Sequence, residues 1–112
     1  MDQPVYPLEI TVAEASALLA ADPGSALILD VREPDELAIN HIAGAAHIPM
    51  RQIPAQVATL PRDRRLLVLC HHGHRSLRVT HFLRGQGFTA VSSIAGGIAA
   101  WATEIDPTMR RY

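Results

Sequence analysis

One short segment, residues 70–76, carries most of the residues that could do chemistry in this chain. It contains the only cysteine, and its members are Cys70, His71, His72, Gly73, His74, Arg75 and Ser76. An apolar run at 66–69 precedes it, and a helical pattern with Val79, Phe82 and Leu83 on one side follows it. The pattern predicts a tight loop between a buried strand and a helix. We call residues 70–76 the cysteine loop.

A cysteine in this position is placed for nucleophilic chemistry. The carboxyl end of a strand is where α/β sheets usually bind ligands, and the free N–H groups of a helix N-terminus favour negative charge. Arg75 and the histidines add positive character. Each feature stabilises a thiolate, the nucleophilic form of cysteine. The alternative is a buried cysteine without chemistry, which is common for a lone cysteine, but the polar and cationic residues that follow Cys70 disfavour it.

The composition limits the classes of protein to which the chain can belong. The chain has 112 residues, 48% of them hydrophobic, and a net charge of −1. These values fit one globular domain and give no electrostatic case for nucleic acid or an acidic membrane as partner. A single cysteine excludes an internal disulfide framework. Residues 1–10 show no targeting signal and no segment could span a bilayer, so we expect a cytoplasmic protein.

Strand and helix signals alternate along the first half of the chain, which predicts an α/β fold. Residues 8–10 form a possible first strand, and Thr11 and Glu14 have the spacing of a capping box at the start of a helix. The apolar run 26–29 predicts a central strand buried on both faces. Pro34 suits the first turn of a short helix.

The second half continues the alternation. We predict a short strand at 46–48 and a weak helix over 50–60 that Pro54 either interrupts or begins. A last strand is predicted within residues 88–94, around residues 90–91. A final helix follows two glycines and ends before residue 106. Its Trp101 recurs at helical spacing with other apolar residues, which favours a role as a core anchor.

Four charged residues outside the cysteine loop are candidates for the periphery of a site. Asp30 and Arg32 follow the second strand, either as a polar framework close to the pocket or as an ion pair that holds a loop. We favour the structural role, because a carboxylate beside the sulfur would oppose thiolate formation. Arg51 and Arg78 could add positive potential at the pocket mouth, although a surface role is the commoner one for such residues.

The order of these motifs resembles that of the single-domain rhodanese family of thiosulfate sulfurtransferases. The resemblance lies in four blocks that together cover about residues 8–105: Leu29–Pro34, His41–Pro49, Val68–Ser76 and Ala95–Trp101. It implies a three-layer α/β/α fold with a central, mostly parallel five-stranded sheet. It also implies one domain over residues 1–112, with a short tail at 106–112. We call residues 106–112 the tail.

One residue departs from the family pattern. Asn40 stands where the family commonly has glycine. Because asparagine tolerates left-handed backbone nearly as well as glycine does, we expect little effect.

The length of the cysteine loop bears on its ligand. Four residues separate Cys70 from Arg75, whereas the more distantly similar phosphatases have five between cysteine and arginine. Ser76 occupies the position of their arginine. A loop one residue shorter should suit one added sulfur atom better than a bound phosphate. This disfavours phosphatase or arsenate reductase activity.

The resemblance implies sulfur transfer by double displacement. Cys70 would take the outer sulfur of thiosulfate, or of another persulfide donor, and pass it to cyanide or a thiol. The backbone N–H groups of residues 71–76 would point inward and stabilise that sulfur. No cofactor and no metal is expected, and a thioredoxin-like or sulfur-relay protein is a possible partner.

The charged side chains of the loop have predicted roles of their own. Arg75 would either bind the sulfonate end of the donor or hold the loop to a carboxylate, with equal weight. His71, His72 and His74 would tune the local potential near neutral pH.

Two alternatives stay open. The first is a persulfide carrier or interaction module for a partner protein. The second is a metal-binding loop of one cysteine and three histidines, which is disfavoured because consecutive residues in a tight loop rarely converge on one tetrahedron.

Overall fold

A parallel five-stranded sheet organises the chain. The computed structural model describes residues 6–112, and each neighbouring pair of strands in the sheet is parallel. The strands are β1 Glu9–Ile10, β2 Ala26–Asp30, β3 Ala46–His47, β4 Arg65–Leu69 and β5 Val91–Ile94. Their order across the sheet is β1-β5-β4-β2-β3. The predicted α/β class and five-stranded sheet are confirmed, while the prediction of no targeting signal at 1–10 falls partly on residues 1–5, outside the described residues.

Five helices connect and cover the strands. They are α1 Val12–Ala21, α2 Pro34–Ile39, α3 Ile53–Gln56, α4 His74–Gly85 and α5 Gly97–Glu104. The capping box at α1 is confirmed, since the Thr11 hydroxyl accepts the amide of Glu14 at 3.1 Å and the Glu14 carboxylate accepts the amide of Thr11 at 3.0 Å. Pro34 is the first residue of α2, as predicted.

Residues 50–60 do not form one helix. Two 3₁₀ turns, Met50–Gln52 and Val57–Thr59, flank the single turn of α3. Pro54 explains the first break, because a residue without an N–H can stand in the first turn of a helix but cannot continue one. The final helix, α5, ends at Glu104, close to the predicted end.

Two apolar cores lie on opposite faces of the sheet. On one face α1 and α5 pack on the strands through buried residues such as Ala15, Ile98 and Trp101. On the other, α3 and α4 pack through residues such as Ile53 and Leu83. The sheet is therefore covered on both faces, as the resemblance implies, and Trp101 is a core residue with 7% exposure.

The apolar run 26–29 forms an internal strand of the sheet, as predicted. β2 pairs with β4 on one side and with the two-residue β3 on the other, and β4 is the middle strand of the five. Both strands read as continuous apolar runs, and an apolar run reports burial on two faces without reporting how many strands lie beyond. The last strand, β5, spans Val91–Ile94, which lies within the predicted range 88–94.

The carboxyl ends of β2 and β4 lie side by side. Asp30 is paired in register with Leu69, and the amide of Val31 donates to the carbonyl of Leu69 at 2.9 Å. The loops that follow these two strands therefore meet at one edge of the sheet. Within residues 6–112 no helix is long and apolar enough to cross a membrane.

Candidate active site

The sulfur of Cys70 lies at the N-terminus of α4. It accepts the amide of Gly73 at 3.1 Å and the amide of Ser76 at 3.3 Å, and the Ser76 hydroxyl oxygen lies 3.3 Å away. Gly73 is the N-cap and Ser76 lies in the first turn, so both amides belong to the helix end that lacks intrahelical partners. Two amides and one hydroxyl can therefore donate to one sulfur, which favours negative charge there.

The amide contacts are fewer than predicted. Across the described residues, only the amides of Gly73 and Ser76 donate to the sulfur, whereas all of 71–76 were expected to point inward. Gly73 has a φ of 107°, which lets the chain turn there so that these two N–H groups converge. Cys70 is only 1% exposed, so a small group can reach the sulfur only by entering the loop.

A second buried hydroxyl lies beneath the sulfur. Ser93 of β5 places its hydroxyl oxygen 2.8 Å from that of Ser76, and both residues are fully buried. A hydrogen-bonded path therefore runs from Ser93 through Ser76 to the sulfur of Cys70. The prediction missed Ser93, although two consecutive serines in a buried strand were a signal that their hydroxyls need partners.

The N-terminus of α5 holds the first peptides of the cysteine loop. The amide of Ile98 donates to the carbonyl of Cys70 at 2.9 Å, and the amide of Ala99 donates to the carbonyl of His71 at 3.1 Å. Gly97 makes this approach possible, since a Cβ there would lie 2.4 Å from the Cys70 carbonyl oxygen and 2.5 Å from that of His71. The N-terminus of α5 therefore donates hydrogen bonds to the carbonyls of Cys70 and His71.

Asp30 and Arg32 form a buried ion pair. Arg32 Nη2 lies 2.8 Å from Asp30 Oδ2, and the two side chains are 0% and 1% exposed. Arg32 Nε also donates to the same carboxylate, at 3.0 Å from Oδ1. These contacts match the structural interpretation, in which the pair holds the loop after β2.

Asn40 does more than the sequence suggested. Its φ is −157°, which is extended backbone, so its tolerance of left-handed backbone is irrelevant. Its side-chain oxygen accepts Arg32 Nη1 at 2.8 Å, and its side-chain nitrogen donates to the carbonyl of Arg110 at 2.6 Å. The reason for expecting little effect therefore does not apply at this position, and the amide side chain instead links Arg32 to the tail.

Arg75 points to a carboxylate of α2. Its two terminal nitrogens donate to Glu36 at 2.7 Å and 2.9 Å. The hydrogen bond with Arg75 lowers the pKa of Glu36 to about 2, and the same bond raises the pKa of Arg75. Of the two roles weighed for Arg75, the structure shows this contact with a carboxylate; the donor-binding role stays a prediction.

The three histidines have different surroundings. His71 is half-buried and stacks on His72 at a ring-centroid distance of 3.8 Å and on Tyr112 at 3.9 Å. Burial, followed by the charge of His72, lowers the pKa of His71. His72 and His74 are exposed. In the chain from residue 6 onward, no three His, Cys, Asp or Glu side chains come together as metal ligands, which does not favour the metal alternative.

The two outlying arginines lie on the surface. Arg51 forms an ion pair with Glu33, and both side chains are largely exposed. Arg78 is exposed on α4, at the edge of an apolar pocket formed with residues that include Met50 and Phe82. The structure thus brings Gly73 and Ser76 to the sulfur and leaves these two arginines without a hydrogen bond to the cysteine loop within the described range 6–112.

Comparison with known proteins gives a consistent result. The family model described as Rhodanese-like domain matches residues 11–104. A sulfurtransferase from Allochromatium vinosum is 36% identical over 80% of this chain and 84% of its own length. Thiosulfate sulfurtransferase GlpE from Stutzerimonas stutzeri is 38% identical over 68% of this chain and 70% of its own. A rhodanese-related protein from Thermoplasma volcanium, of known crystal structure, superposes with a TM-score of 0.76 at 33% identity, covering 87% and 92% of the two chains.

Proposed function

The chain belongs to the rhodanese-like domain family, and we propose that it is a thiosulfate sulfurtransferase that carries the transferred sulfur on Cys70. Relatives named as sulfurtransferases, at 36% and 38% identity, support sulfur transfer as the general activity. The observation that carries the finer proposal is the set of groups that can donate to a Cys70 thiolate: the amides of Gly73 and Ser76, and the Ser76 hydroxyl, whose oxygen lies 3.3 Å from the sulfur.

The first half-reaction loads the cysteine. The thiolate of Cys70 attacks the outer sulfur of thiosulfate, and a new bond forms between the two sulfurs. The bond to the central sulfur of thiosulfate breaks, and its electron pair leaves with sulfite. The product is a Cys70 persulfide with a negative outer sulfur, and neither step transfers a proton.

The second half-reaction removes the outer sulfur from the Cys70 persulfide. A nucleophile, cyanide in an assay or a thiolate in the cell, attacks the outer sulfur of the persulfide. The bond between the two sulfurs breaks, and its electron pair returns to Cys70 as thiolate. Because donor and acceptor react in turn with the same atom, the kinetics should be ping-pong.

The described geometry suits both charged states of the cysteine. Amides at a helix N-terminus stabilise an anion without any reorganisation during the reaction. The Ser76 hydroxyl can donate to a thiolate while it accepts from the hydroxyl of Ser93, 2.8 Å away. A sulfur atom is small enough to enter a short loop whose cysteine is 1% exposed, which supports sulfur over phosphate as the group transferred.

The binding of the donor's sulfonate end is a separate part of the proposal. Arg75 carries its charge beside the loop but already bonds both oxygens of Glu36. Sulfonate binding by Arg75 would therefore share this guanidinium with the carboxylate. Exposed Arg51 and Arg78 would add a weaker, salt-sensitive attraction for the doubly negative donor. A thiol or a thioredoxin-like protein is the proposed acceptor in the cell.

The intact mass of the protein tests the proposal directly. Incubation with thiosulfate should add one sulfur atom per chain, and cyanide should remove it as thiocyanate. The Cys70→Ser variant is the control and should gain nothing. If thiosulfate adds no sulfur while a persulfide-bearing donor protein does, the chain is a persulfide carrier. If neither adds sulfur, the proposal is wrong.

A further inference from the structure

We infer that Tyr112 is a positioning residue that holds both ends of the cysteine loop, which makes the tail a part of the active site. The tail was expected to be a simple extension after the last helix. Instead, Tyr112 contacts the residue directly after the cysteine, and through one carboxylate it reaches the residue just before Ser76.

The contact with the start of the loop is made by His71. The rings of His71 and Tyr112 stack at a centroid distance of 3.9 Å with an interplanar angle of 10°. His71 Nε2 also lies 2.9 Å from the backbone carbonyl oxygen of Tyr112. Together with the bond from Ala99 to its carbonyl, this holds His71 by backbone and by side chain.

The contact with the end of the loop is made through Glu36. The Tyr112 hydroxyl donates to Glu36 Oε2 at 2.6 Å, and Arg75 donates to both oxygens of the same carboxylate. Burial, followed by the bond to Glu36, raises the pKa of Tyr112 to about 12, so this hydroxyl keeps its proton at neutral pH. Tyr112 therefore fixes the carboxylate that receives Arg75.

Independent bonds bring the tail to this position. Asn40 donates to the carbonyl of Arg110 at 2.6 Å, and Arg32 Nη1 donates to the Tyr112 hydroxyl at 2.9 Å. Arg32 and Asn40 are both buried, which gives the tail a rigid attachment. An exposed segment without such bonds would not be expected to keep one conformation.

The position of the loop matters because the sulfur donors lie between its two ends. Gly73 and Ser76 must converge on one atom, and small displacements weaken hydrogen bonds to it. Release of Tyr112 should let the loop open more often. The opened loop would expose Cys70 and separate the donors, so alkylation should become faster while persulfide formation becomes slower.

The test compares Tyr112→Ala, Tyr112→Phe and a control, Thr108→Ala, in the same tail. Thr108 is exposed and bonds within the tail to Asp106. We would measure hydrogen exchange at the amides of residues 71–76 and at β4, and the rate of Cys70 alkylation by iodoacetamide. The rate of persulfide formation from thiosulfate completes the set, and only this arm rests on the proposed function.

In Tyr112→Ala, exchange at Gly73 and Ser76 and alkylation should be about tenfold faster, and persulfide formation about tenfold slower, with β4 unchanged. Tyr112→Phe keeps the stacked ring and should change each rate about threefold. Thr108→Ala should match the wild type. Wild-type protection at 71–76 in both Tyr112 variants, or an equal loss at β4, would overturn the inference. Absence of persulfide in the wild type would instead refute the proposed function, and the exchange data would still decide the role of Tyr112.

Discussion

The loops that follow β2 and β4 lie side by side at one edge of the sheet, but different groups hold them. After β2, two charged side chains neutralise each other: Arg32 donates to Asp30, and both are buried. After β4, the backbone itself turns towards a side chain, and two amides donate to the sulfur of Cys70. Both solutions satisfy polar groups at the end of a buried strand.

In the function that we propose, this difference separates a structural loop from a reactive one. The Asp30 carboxylate is fully engaged by its own neighbour and leaves no group to bind a ligand. The donors after β4 surround a sulfur atom, which forms a covalent bond to the transferred sulfur in the reaction that we propose. Charged residues at a strand end therefore do not mark the site by themselves; the site is where the donors face an atom that can react.

The largest expected effect is on the rate of sulfur transfer, with little change in the stability of the protein. Cys70→Ser should lower thiocyanate production by about a thousandfold or more, because a serine hydroxyl is not ionised at neutral pH. Its unfolding free energy, measured with urea, should change by about 1 kcal/mol or less, since the substitution is nearly isosteric. Appreciable sulfur transfer by this variant would show that the loop after β4 is not the reactive one.

The next effect is on stability and concerns the loop after β2. Asp30→Ala should reduce the unfolding free energy by about 4 kcal/mol, because Arg32 is left buried without its partner. Urea unfolding measures this directly. The matched control is Arg51→Ala, which breaks an exposed pair and should leave the unfolding midpoint nearly unchanged. Equal effects of the two variants would contradict the structural role of the buried pair.

A substitution at Gly97, which contacts the loop after β4, should reduce both the stability of the protein and its sulfur transfer. Gly97→Ala would place a Cβ 2.4 Å from the Cys70 carbonyl oxygen, and φ at this position is +58°. The unfolding free energy should therefore fall by about 3 kcal/mol. The displaced loop should also lose most of its sulfur transfer. Gly85→Ala has open space around its Cβ and should be neutral or stabilising by up to about 1 kcal/mol. A Gly97→Ala protein with wild-type stability would show that α5 does not hold the loop.

The smallest effect concerns the bond that joins the two loops through α2 and α4. The ordinary pKa of Glu36 is 4.5, and its bond with Arg75 lowers it to about 2. A lowered pKa means that the ionised pair stabilises the fold above pH 4.5 and that this stabilisation is lost as the pH falls towards 2. The partly exposed pair should account for about 1–3 kcal/mol of that loss.

Urea unfolding of wild type and Glu36→Gln between about pH 5 and about pH 3 measures the stabilisation by the Glu36–Arg75 pair. The variant should be less stable than the wild type at the higher pH, and the difference should shrink as the pH falls. Glu9→Gln, altered at an exposed end of β1, should keep the wild-type pH dependence. A pH-independent difference between wild type and Glu36→Gln would contradict the ionised pair.

The local signals in the sequence were sufficient for much of this fold. Thr11 and Glu14 satisfy helix amides within one turn, and Pro34 starts a helix, so neither depends on distant residues. Cys70 was recognisable because an apolar run ended at a polar, glycine-containing loop. The loops after β2 and β4 are adjacent because these strands are parallel neighbours. The parallel sheet itself was implied by the resemblance of the four sequence blocks to the family.

The remaining features depend on contacts between residues far apart in the chain. Glu36 and Arg75 are 39 positions apart, and Asn40 meets Arg110 at a distance of 70 positions. No local pattern predicts which of several carboxylates a given arginine will meet. The role of Asn40 was missed for the same reason, since its side chain bonds to Arg32 and to the tail.

The strand order has a consequence during synthesis. β1 pairs with β5, and the surroundings of Cys70 include Ser93, the amide of Ile98 and the ring of Tyr112 by way of His71. These residues leave the ribosome after the cysteine loop. A nascent chain that has exposed residues 70–76 still lacks β5, α5 and the tail, so the contacts that support the cysteine loop form only after these later residues have been synthesised.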